Sequence, residues 1–346
     1  MATRADVAKL AGVSESTVSY ALTGKRPISE ETKKRVLHAV KKLGYQPHFA
    51  AGVLAGGRSK TIAMLHPMGR VGLSSSALEY VVGAANYAIA RGYQVTLWPS
   101  QNDVIADIKN LRKSGLLAGA IVMESKLIDP RIEMLVKEEI PFVMIGRTGD
   151  NRQLNYVDRD FDRVCTIALD YLRSLGHAEI AFISNSRGRS QSELSVDVRF
   201  AESLTAEARA RGINAVEILA ENEPISGRDA LIQIMNEQPQ VTAVMGLSDN
   251  SILGLMSAAS EFGIQVPEKL SVLALSTSRG QAQLAWPHLT SITVPAAEMG
   301  ENAARILIAK LDDPQRVTEQ HLFTGELQRF DSTAAPRATE VPLVSS

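Results

Sequence analysis

The stretch that decides the fold of the N-terminal segment is residues 4–23, RADVAKLAGVSESTVSYALT. Apolar side chains at helical spacing predict a first helix over residues 4–11. The residues on that apolar face are Val7, Leu10 and Ala11. Gly12 is predicted to end this helix, because glycine tolerates the positive φ of a helix C-cap. Ser14 has the side chain of an N-cap, so a second helix is expected over residues 15–22.

A third helix is predicted to follow Ser29, with two acids in its first turn where the helix dipole favours them. Its inner face is Val36, Val40 and Leu43, and Gly44 closes it. The second helix has a small polar outer face made of Glu15, Ser16, Ser19 and Tyr20. Such a bundle is typical of a helix-turn-helix, whose second helix fits a DNA major groove about 12 Å wide. Three-helix bundles also bind proteins, so both functions stay open at this point.

The charge of the chain is divided unevenly. Residues 1–60 hold eleven Lys and Arg against four Asp and Glu, a net charge of +7. The remaining residues hold 26 Lys and Arg against 34 Asp and Glu, a net charge of −8. A basic segment attached to an acidic body suggests a polyanion-binding module joined to a different domain. A solvated basic helix face explains the same charge equally well.

Four motifs lie in the N-terminal segment: residues 6–14 (DVAKLAGVS), 16–19 (STVS), 28–32 (ISEET) and 43–47 (LGYQP). At this spacing they resemble the lac/gal repressor (LacI–GalR) family of bacterial regulators. In that family, two side chains near the start of the second helix and one a turn later read the bases. The matching residues here are Glu15, Ser16 and Tyr20. Many relatives carry a basic residue at the last position, so the resemblance does not carry the operator sequence over to this chain.

The same resemblance implies further DNA contacts. Hydroxyl groups around the second helix are expected to bind phosphates and fix the register on DNA. The residues concerned are Ser14, Thr17, Ser19 and Thr23, with the cations Lys25 and Arg26 in the turn that follows. Glu15 can accept a hydrogen bond from a cytosine amino group. The alternative for Glu15 is an ordinary acid at a helix N-terminus.

Residues 47–60 match the hinge of this family, which becomes helical when two chains meet on DNA. Leu54 matches the leucine that wedges into a minor-groove step and kinks the duplex, and Ala51 is expected to pack against its partner. Gly52 stands where the family usually has a larger polar residue. Glycine costs about 1 kcal/mol in a helix, so this hinge is expected to order less readily. An inert linker is the alternative.

From Thr61 onward the sequence alternates between apolar strands and amphipathic helices, which predicts parallel sheets covered by helices on both faces. The first set has strands at 61–66, 93–98, 119–123 and 141–145, with helices at 76–91, 103–114 and 130–139. The second set has strands at 179–184, 216–220, 241–247 and 270–275, with helices at 196–211, 227–236, 250–262 and 296–311. The predicted fold is a small all-α helix-turn-helix head and an α/β body of two doubly wound parallel-sheet lobes. A cleft is expected at the carboxyl ends of the strands.

Several function classes lose support. His66-Pro67-Met68-Gly69-Arg70 follows the first strand, where a dinucleotide-binding enzyme has its glycine motif, and no Walker loop is present. The histidines lack metal-ligand spacing, and Cys165 has no neighbouring His and is expected in mid-helix. A single cysteine fits a reducing cytoplasmic setting, and neither a membrane span nor a secretory signal is expected. We therefore expect no enzyme, no cofactor and no metal site.

The body also resembles the effector domain of the same family, which is similar to periplasmic sugar-binding proteins. The matches include Asp160, Ala168 and Leu172, Asp249 and Gly254, and residues 287–292 (PHLTSI). The pocket departs from the family pattern: Val196 stands where sugar-binding relatives commonly have arginine, Ser248 where they often have asparagine, and Ser276 where they often have an acid. The effector-binding residues are predicted to be Arg70, Arg147, Asp197, Arg199, Ser248, Asp249 and Ser276. Arg147 and Arg199 can meet a phosphate or carboxylate, and Trp98 or Trp286 can stack a ring, although one buried core tryptophan is the default.

The chain is thus predicted to be a DNA-binding regulator, a repressor rather than an activator. It is expected to bind a pseudo-palindromic operator as a homodimer, controlled by a small metabolite for which a sugar or sugar derivative is favoured. Four segments are predicted: residues 1–46, a helix-turn-helix domain; 47–60, a hinge; 61–330, a two-lobed effector-binding and dimerisation domain; and 331–346, a flexible tail. The tail lacks heptads, which favours a dimer over a coiled-coil tetramer. The alternatives are a two-lobed binding protein with a non-functional head and an α/β enzyme.

Overall fold

The structure, a computed structural model, describes residues 2–23, 26–45, 59–67, 73–99, 104–113, 115–185, 194–275 and 277–336. The chain divides into two compact units. The first unit is residues 1–60 with 108–118, and the second is residues 61–107 with 119–346. Each unit has its own hydrophobic core.

The first unit contains the three predicted helices: α1 (Arg4–Ala11), α2 (Glu15–Thr23) and α3 (Glu30–Leu43). The side chains of Val7, Val18 and Val36, one from each helix, are fully buried and form its core. Gly12 and Gly44 end α1 and α3 with φ values of 65° and 58°, in the left-handed region that glycine adopts without strain. The predicted helices and their caps are confirmed, but Leu10, expected on the apolar face of α1, is 44% exposed.

Lobe 1 of the second unit is built on a parallel sheet with strand order β11-β5-β4-β3-β1-β2. Its strands are β1 (Thr61–His66), β2 (Gln94–Pro99), β3 (Gly119–Met123), β4 (Phe142–Ile145), β5 (Tyr156–Arg159) and β11 (Gln320–Phe323). Its helices include α4 (Ser75–Ile89), α6 (Pro130–Lys137) and α12 (Ala296–Asp312), and α5 (Val104–Lys113) lies between β2 and β3 along the chain. Residues 62–66 and 119–123 are buried without interruption, as expected of strands covered on both faces.

Lobe 2 has the strand order β12-β10-β9-β8-β6-β7, in which only β12 runs antiparallel to its neighbour among the described strands. Its strands are β6 (Glu179–Ser184), β7 (Asn214–Leu219), β8 (Ala243–Gly246), β9 (Ser271–Leu275), β10 (Thr290–Thr293) and β12 (Glu326–Gln328). Its helices are α7 (Phe161–Leu175), α8 (Ser195–Ala210), α9 (Pro224–Glu237), α10 (Asp249–Glu261) and α11 (Arg279–Ala282). The predicted fold class, with two parallel-sheet lobes, is confirmed.

Three stretches of chain pass between the lobes: β5 to α7, β10 to α12, and β11 to β12. Because of the second crossing, α12 belongs to lobe 1, where it packs along α4. The prediction that residues 296–311 continue the second set of elements is therefore wrong. Strand order along the chain does not decide where a helix packs, because the apolar face of α12 finds its partner more than 200 residues upstream.

Each lobe contains a pair of helices that cross at glycines. In lobe 1, Gly83 of α4 faces the backbone of Ala297 in α12, and Gly300 of α12 faces the backbone of Tyr80 in α4. In lobe 2, Gly227 of α9 and Gly254 of α10 meet the partner helix in the same reciprocal way. A Cβ atom at any of these four positions collides with main-chain atoms, so only glycine permits the observed approach.

The predicted flexible tail of residues 331–346 is wrong at its start. Ser332 is fully buried; its hydroxyl donates to the carbonyl of Val272 at 2.6 Å and accepts from the amide of Thr290 at 2.8 Å. The carbonyl oxygen of Ala334 lies 2.9 Å from the ring Nε2 of His177, within hydrogen-bonding distance. These bonds tie residues 331–336 to lobe 2, while residues 337–346 lie outside the described residues.

Within the described ranges, none of the helices combines the length and the hydropathy that a bilayer span requires.

Candidate functional sites

Short polar side chains cap the N-termini of α1 and α2. The Thr3 hydroxyl accepts from the amide of Asp6, and the Asp6 carboxylate accepts in return from the amide of Thr3, which forms a capping box. The Ser14 hydroxyl accepts from the amide of Thr17 at 3.1 Å and so caps α2. These bonds hold the first turn of α2 at the surface of the bundle.

The outer face of α2 carries most of the predicted DNA-binding residues. Ser14, Glu15 and Ser16 are exposed. Thr17, Ser19 and Tyr20 are half-buried. The guanidinium of Arg26 lies 5.5 Å from the centre of the Tyr20 ring, a cation–π contact. The side chain of Thr23 and the residues Lys25, Ala51 and Leu54 lie outside the described residues.

The structure adds one residue to this face that the sequence did not indicate. Nε of Arg4, at the start of α1, donates to Oε2 of Glu15 at 3.1 Å. The two residues are eleven positions apart and belong to different helices. No helical or strand periodicity signals such a pair, so only the packing of α1 against α2 reveals it.

A pocket of about 150 Å³ lies within the second unit, lined from both lobes. Most of its polar lining residues end or follow strands or lie near the starts of helices, where open parallel sheets usually bind ligands. From lobe 1 they are His66, Ser74, Ser76, Tyr80, Glu124, Ser125, Arg147, Asp158 and Arg159; from lobe 2, Ser184, Asn185, Ser195, Asp197, Asn222, Ser248 and Asp249.

Two arginines of the pocket are held by neighbouring groups. Nε of Arg147 donates to Oδ2 of Asp158 at 2.7 Å, and the other carboxylate oxygen of Asp158 accepts from the amide of Arg159. The guanidinium of Arg159 donates twice to the Tyr80 hydroxyl, at 3.0 and 3.3 Å. Burial acts to lower the pKa of Arg159, but Tyr80, Asp158 and Asp249 outweigh it and raise that pKa. Both guanidinium groups are therefore fixed in position before any ligand binds.

Glu124 stands directly after β3, in a loop with a buried ion pair beneath it. Its φ of 48° is unusual for a residue other than glycine. The guanidinium of Arg131 donates to the Glu124 carbonyl at 2.9 Å and to both carboxylate oxygens of Asp129, at 3.0 and 2.6 Å. These bonds hold the loop so that Oε1 of Glu124 lies 3.2 Å from Nε2 of the buried His66. Among the described residues, neither ring nitrogen of His66 has a well-aligned hydrogen-bond partner.

The wall from lobe 2 is built around the start of α10. The Ser248 hydroxyl caps this helix by accepting from the amide of Ser251 at 3.2 Å, and it bonds to Oδ1 of Asn222 at 2.5 Å. Oδ1 of Asp249 accepts from the Thr277 hydroxyl at 2.5 Å. Asp197 lies half-buried in the first turn of α8. The helix ends thus present an amide, hydroxyls and carboxylates to the pocket.

The structure brings together four of the seven predicted effector residues, namely Arg147, Asp197, Ser248 and Asp249. Arg199 is not on the pocket wall, so that prediction is wrong: its guanidinium donates to the Thr148 carbonyl at 2.6 Å and to the Ser195 hydroxyl at 3.1 Å. Arg199 instead lines a second cavity that Arg147 also borders. Arg70 and Ser276 lie outside the described residues.

Several pocket residues were missed, above all His66, Glu124, Arg159 and Asn185. Each ends or follows a strand, so a search for polar residues at strand ends finds them. The tryptophans were also misjudged. Trp286 is 80% exposed, Trp98 is half-buried, and neither lines the pocket. Cys165 is buried in mid-helix as predicted.

Comparisons with known proteins identify the family of the chain. The family model "Bacterial regulatory proteins, lacI family" matches residues 3–48, and "Periplasmic binding protein-like domain" matches residues 169–333. The HTH-type transcriptional repressor PurR of Vibrio atlanticus is 31% identical over 341 residues, 93% of this chain and 96% of its own length. The chain belongs to the lacI family. It is a helix-turn-helix transcriptional regulator, and the resemblance carried by residues 6–14 and 16–19 is confirmed.

A further relative is similar in sequence, and two solved structures share the fold. The HTH-type transcriptional regulator AglR of Rhizobium meliloti is 29% identical over 97% of this chain and 96% of its own length. The structure of the lac repressor dimer bound to operator and the anti-inducer ONPF is 22% identical, with a TM-score of 0.81 over 96% of this chain and 99% of that one. The complex of the regulator CelR with cellobiose is 24% identical, with a TM-score of 0.71 over 96% of this chain and all of that one. These relatives are transcriptional regulators, not enzymes.

Proposed function

We propose that this chain is a transcriptional repressor that binds a pseudo-palindromic operator as a homodimer and responds to a small polar metabolite in the pocket between its lobes. The observation that carries the proposal is that one chain combines a lacI-family helix-turn-helix with a pocket to which both lobes contribute polar side chains. A regulator of chromosomal DNA acts in the cytoplasm. The contacts to DNA come from the exposed face of α2 and the hinge.

An apolar strip on α4 supports dimerisation. Leu78, Val82 and Ile89 lie on one face of this helix and are 53%, 48% and 64% exposed. In lobe 2, Leu284 and Trp286 are 75% and 80% exposed. Contiguous exposed apolar side chains mark interaction surfaces on proteins. A second copy of the chain is the occupant, because twofold symmetry of the protein matches the inverted repeat of an operator.

The pocket favours a polyhydroxyl ligand such as a sugar or sugar derivative. Carboxylates and amides bind pairs of hydroxyl groups, and here they come from both lobes: Glu124 from lobe 1, and Asn222 and Asp249 from lobe 2. Arg147 is already paired with Asp158, and Arg199 lies off the pocket wall, so a phosphate loses two of its expected partners. CelR binds cellobiose and the lac repressor ONPF, which agrees with this ligand class.

Linkage connects the two sites. A ligand that contacts both lobes favours one arrangement of them, and the three interlobe connections let the lobes move as units. If that arrangement fits only one state of the DNA-bound dimer, the affinities for ligand and operator are coupled, typically by about 1–3 kcal/mol. Induction and corepression are both compatible with this scheme.

Operator binding is tested by footprinting on DNA from the parent genome. The full chain is expected to protect an inverted repeat, and a variant without residues 1–60 is expected to protect none. Absence of a protected repeat for the full chain, with and without metabolites, contradicts operator binding. A protein that then still binds a ligand is a two-lobed binding protein with a non-functional head, and turnover of the ligand identifies an enzyme.

Ligand binding in the pocket is tested by thermal-shift screening against sugars, polyols and their phosphates. Asp197→Asn is expected to weaken the shift produced by any hit. Asp162→Asn is the matched control, because Asp162 is also an acid in the first turn of a lobe 2 helix but does not line the pocket. Equal effects of the two substitutions contradict the assignment of the pocket.

The dimer is tested by sedimentation of Val82→Glu. This variant is expected to be monomeric, whereas Val136→Glu, at an equally exposed position on α6, is expected to stay dimeric.

A further inference from the structure

An ion pair lies where α1 and α2 begin. Nε of Arg4 donates to Oε2 of Glu15 at 3.1 Å, and the two side chains are 45% and 51% exposed. In the part of the chain that the structure describes, this is the one bond found for either side chain. The two terminal NH₂ groups of Arg4 and Oε1 of Glu15 are thus available to a further partner.

Stability does not account for this pair. Exposed ion pairs add little to folding, because solvent screens them and two long side chains must be held still. Glu15 already interacts favourably with the N-terminus of α2 through the helix dipole. On DNA, however, an isolated carboxylate is repelled by the phosphates. The guanidinium of Arg4 offsets that repulsion where the recognition helix enters the groove.

The remaining groups match one base pair. In the major groove, a G·C pair presents the acceptors N7 and O6 of guanine next to the N4 amino donor of cytosine. The Arg4–Glu15 pair presents adjacent N–H donors next to a carboxylate acceptor. An A·T pair alternates acceptor, donor, acceptor and methyl group, so it offers no two adjacent acceptors to a guanidinium.

We propose that Arg4 and Glu15 act as a single unit that reads one G·C base pair in each operator half-site, with the guanidinium on guanine and the carboxylate on the cytosine amino group. This inference rests on the proposed function, because it assumes that α2 enters a major groove. Tyr20, one turn further along α2, contacts Arg26 instead.

The test begins with selection of bound duplexes from a random library by the full chain. Fluorescence anisotropy then gives the affinity for all four base pairs at each enriched position. One position in each half-site is expected to be G·C, preferred by about tenfold or more. Glu15→Gln is expected to shift that preference towards A·T, since glutamine reads adenine. Arg4→Gln is expected to reduce discrimination at the same base pair, and the double variant to lose no more than the more affected single variant.

Two controls separate reading from folding. Arg4→Lys keeps a cation and is expected to retain part of the discrimination, and all variants are expected to unfold at the temperature of the parent chain. Arg228 and Glu261 form a comparably exposed ion pair at 3.0 Å in lobe 2. Arg228→Gln and Glu261→Gln are expected to leave every base preference unchanged.

The outcomes distinguish this inference from the function on which it rests. A uniform loss of affinity at all positions in Arg4→Gln and Glu15→Gln overturns the inference, and so do effects of the two variants at different positions. Failure of the full chain to enrich any sequence overturns operator binding itself, and this inference with it.

Discussion

Replacing Gly300 by alanine tests the close approach of α4 and α12. A Cβ at residue 300 would lie 2.8 Å from the carbonyl carbon and 2.9 Å from Cα of Tyr80, with the carbonyl oxygen closer still. Relief of these contacts requires the helices to separate by roughly 1 Å, because ordinary carbon contacts begin near 3.5 Å. Alanine favours a helix over glycine by about 0.5–1 kcal/mol. The added methyl group overpacks the contact, which destabilises a protein by about 1–3 kcal/mol, or by more when only backbone can move away. This cost outweighs the gain in helix propensity.

We expect Gly300→Ala to lower the free energy of unfolding by roughly 3 kcal/mol, near the upper end of overpacking costs. In a body of this size, that corresponds to a fall in Tm of roughly 6–12 °C, measured by calorimetry and urea unfolding. Displacement of Tyr80 also moves the hydroxyl that holds Arg159, so ligand affinity falls with stability. Gly280→Ala is the matched control, because nothing lies within 4 Å of its Cβ position. A Gly300→Ala protein as stable as the Gly280→Ala protein refutes the reasoning.

Three further predictions concern buried and paired groups. Arg131→Gln leaves the Asp129 carboxylate buried and unpaired, so it is expected to cost about 3–5 kcal/mol in urea unfolding, whereas Arg152→Gln, in a fully exposed pair with Asp150, should cause no measurable change. Arg305, followed by Arg316 and His321, lowers the pKa of Glu319 to about 2. Because the pKa of Glu319 in the folded chain is below its ordinary value, its ionised carboxylate stabilises the fold above about pH 4.5. This stabilisation is lost as the pH falls towards 2. The difference in Tm between Glu319→Gln and the parent chain should therefore vanish over that range. Burial raises the pKa of the Cys165 thiol to about 12, so a thiol reagent at pH 8 should label the unfolded chain but not the native one, and rapid native labelling contradicts the buried position.

Local sequence signals predicted the regular elements well where those elements are long. The caps at Gly12 and Ser14, the buried strands at 61–66 and 119–123 and the helix over residues 130–139 were found within a few residues of their observed bounds. The strands β5, β10, β11 and β12 were not predicted. Each has three or four residues and lies at or near a sheet edge, so its period is too short to recognise and only its pairing partners define it.

The candidate sites show the same division. The outer face of α2 follows from helical periodicity, which places Glu15 and Ser16 at the surface. The pocket was predicted in part, because Arg147, Ser248 and Asp249 follow strands that the sequence reveals. Arg199 was misplaced, since a residue in the first turns of α8 points in one direction only, and that direction is set by the rotation of the helix against the sheet. The Arg4–Glu15 pair depends on the crossing of α1 and α2, which no spacing along the chain encodes.

The sequence by itself determined the helix-turn-helix, the alternation of strands and helices and the family to which the chain belongs, because caps, apolar periodicity and motif spacing are local properties. Only the tertiary structure decided that α12 and β11 return to lobe 1, that Ser332 is part of lobe 2 and that His66 and Asp249 face one pocket. These outcomes depend on which apolar faces and strand edges meet across hundreds of residues. Such pairings are chosen by the packing of the whole unit, and no window of neighbouring residues contains them.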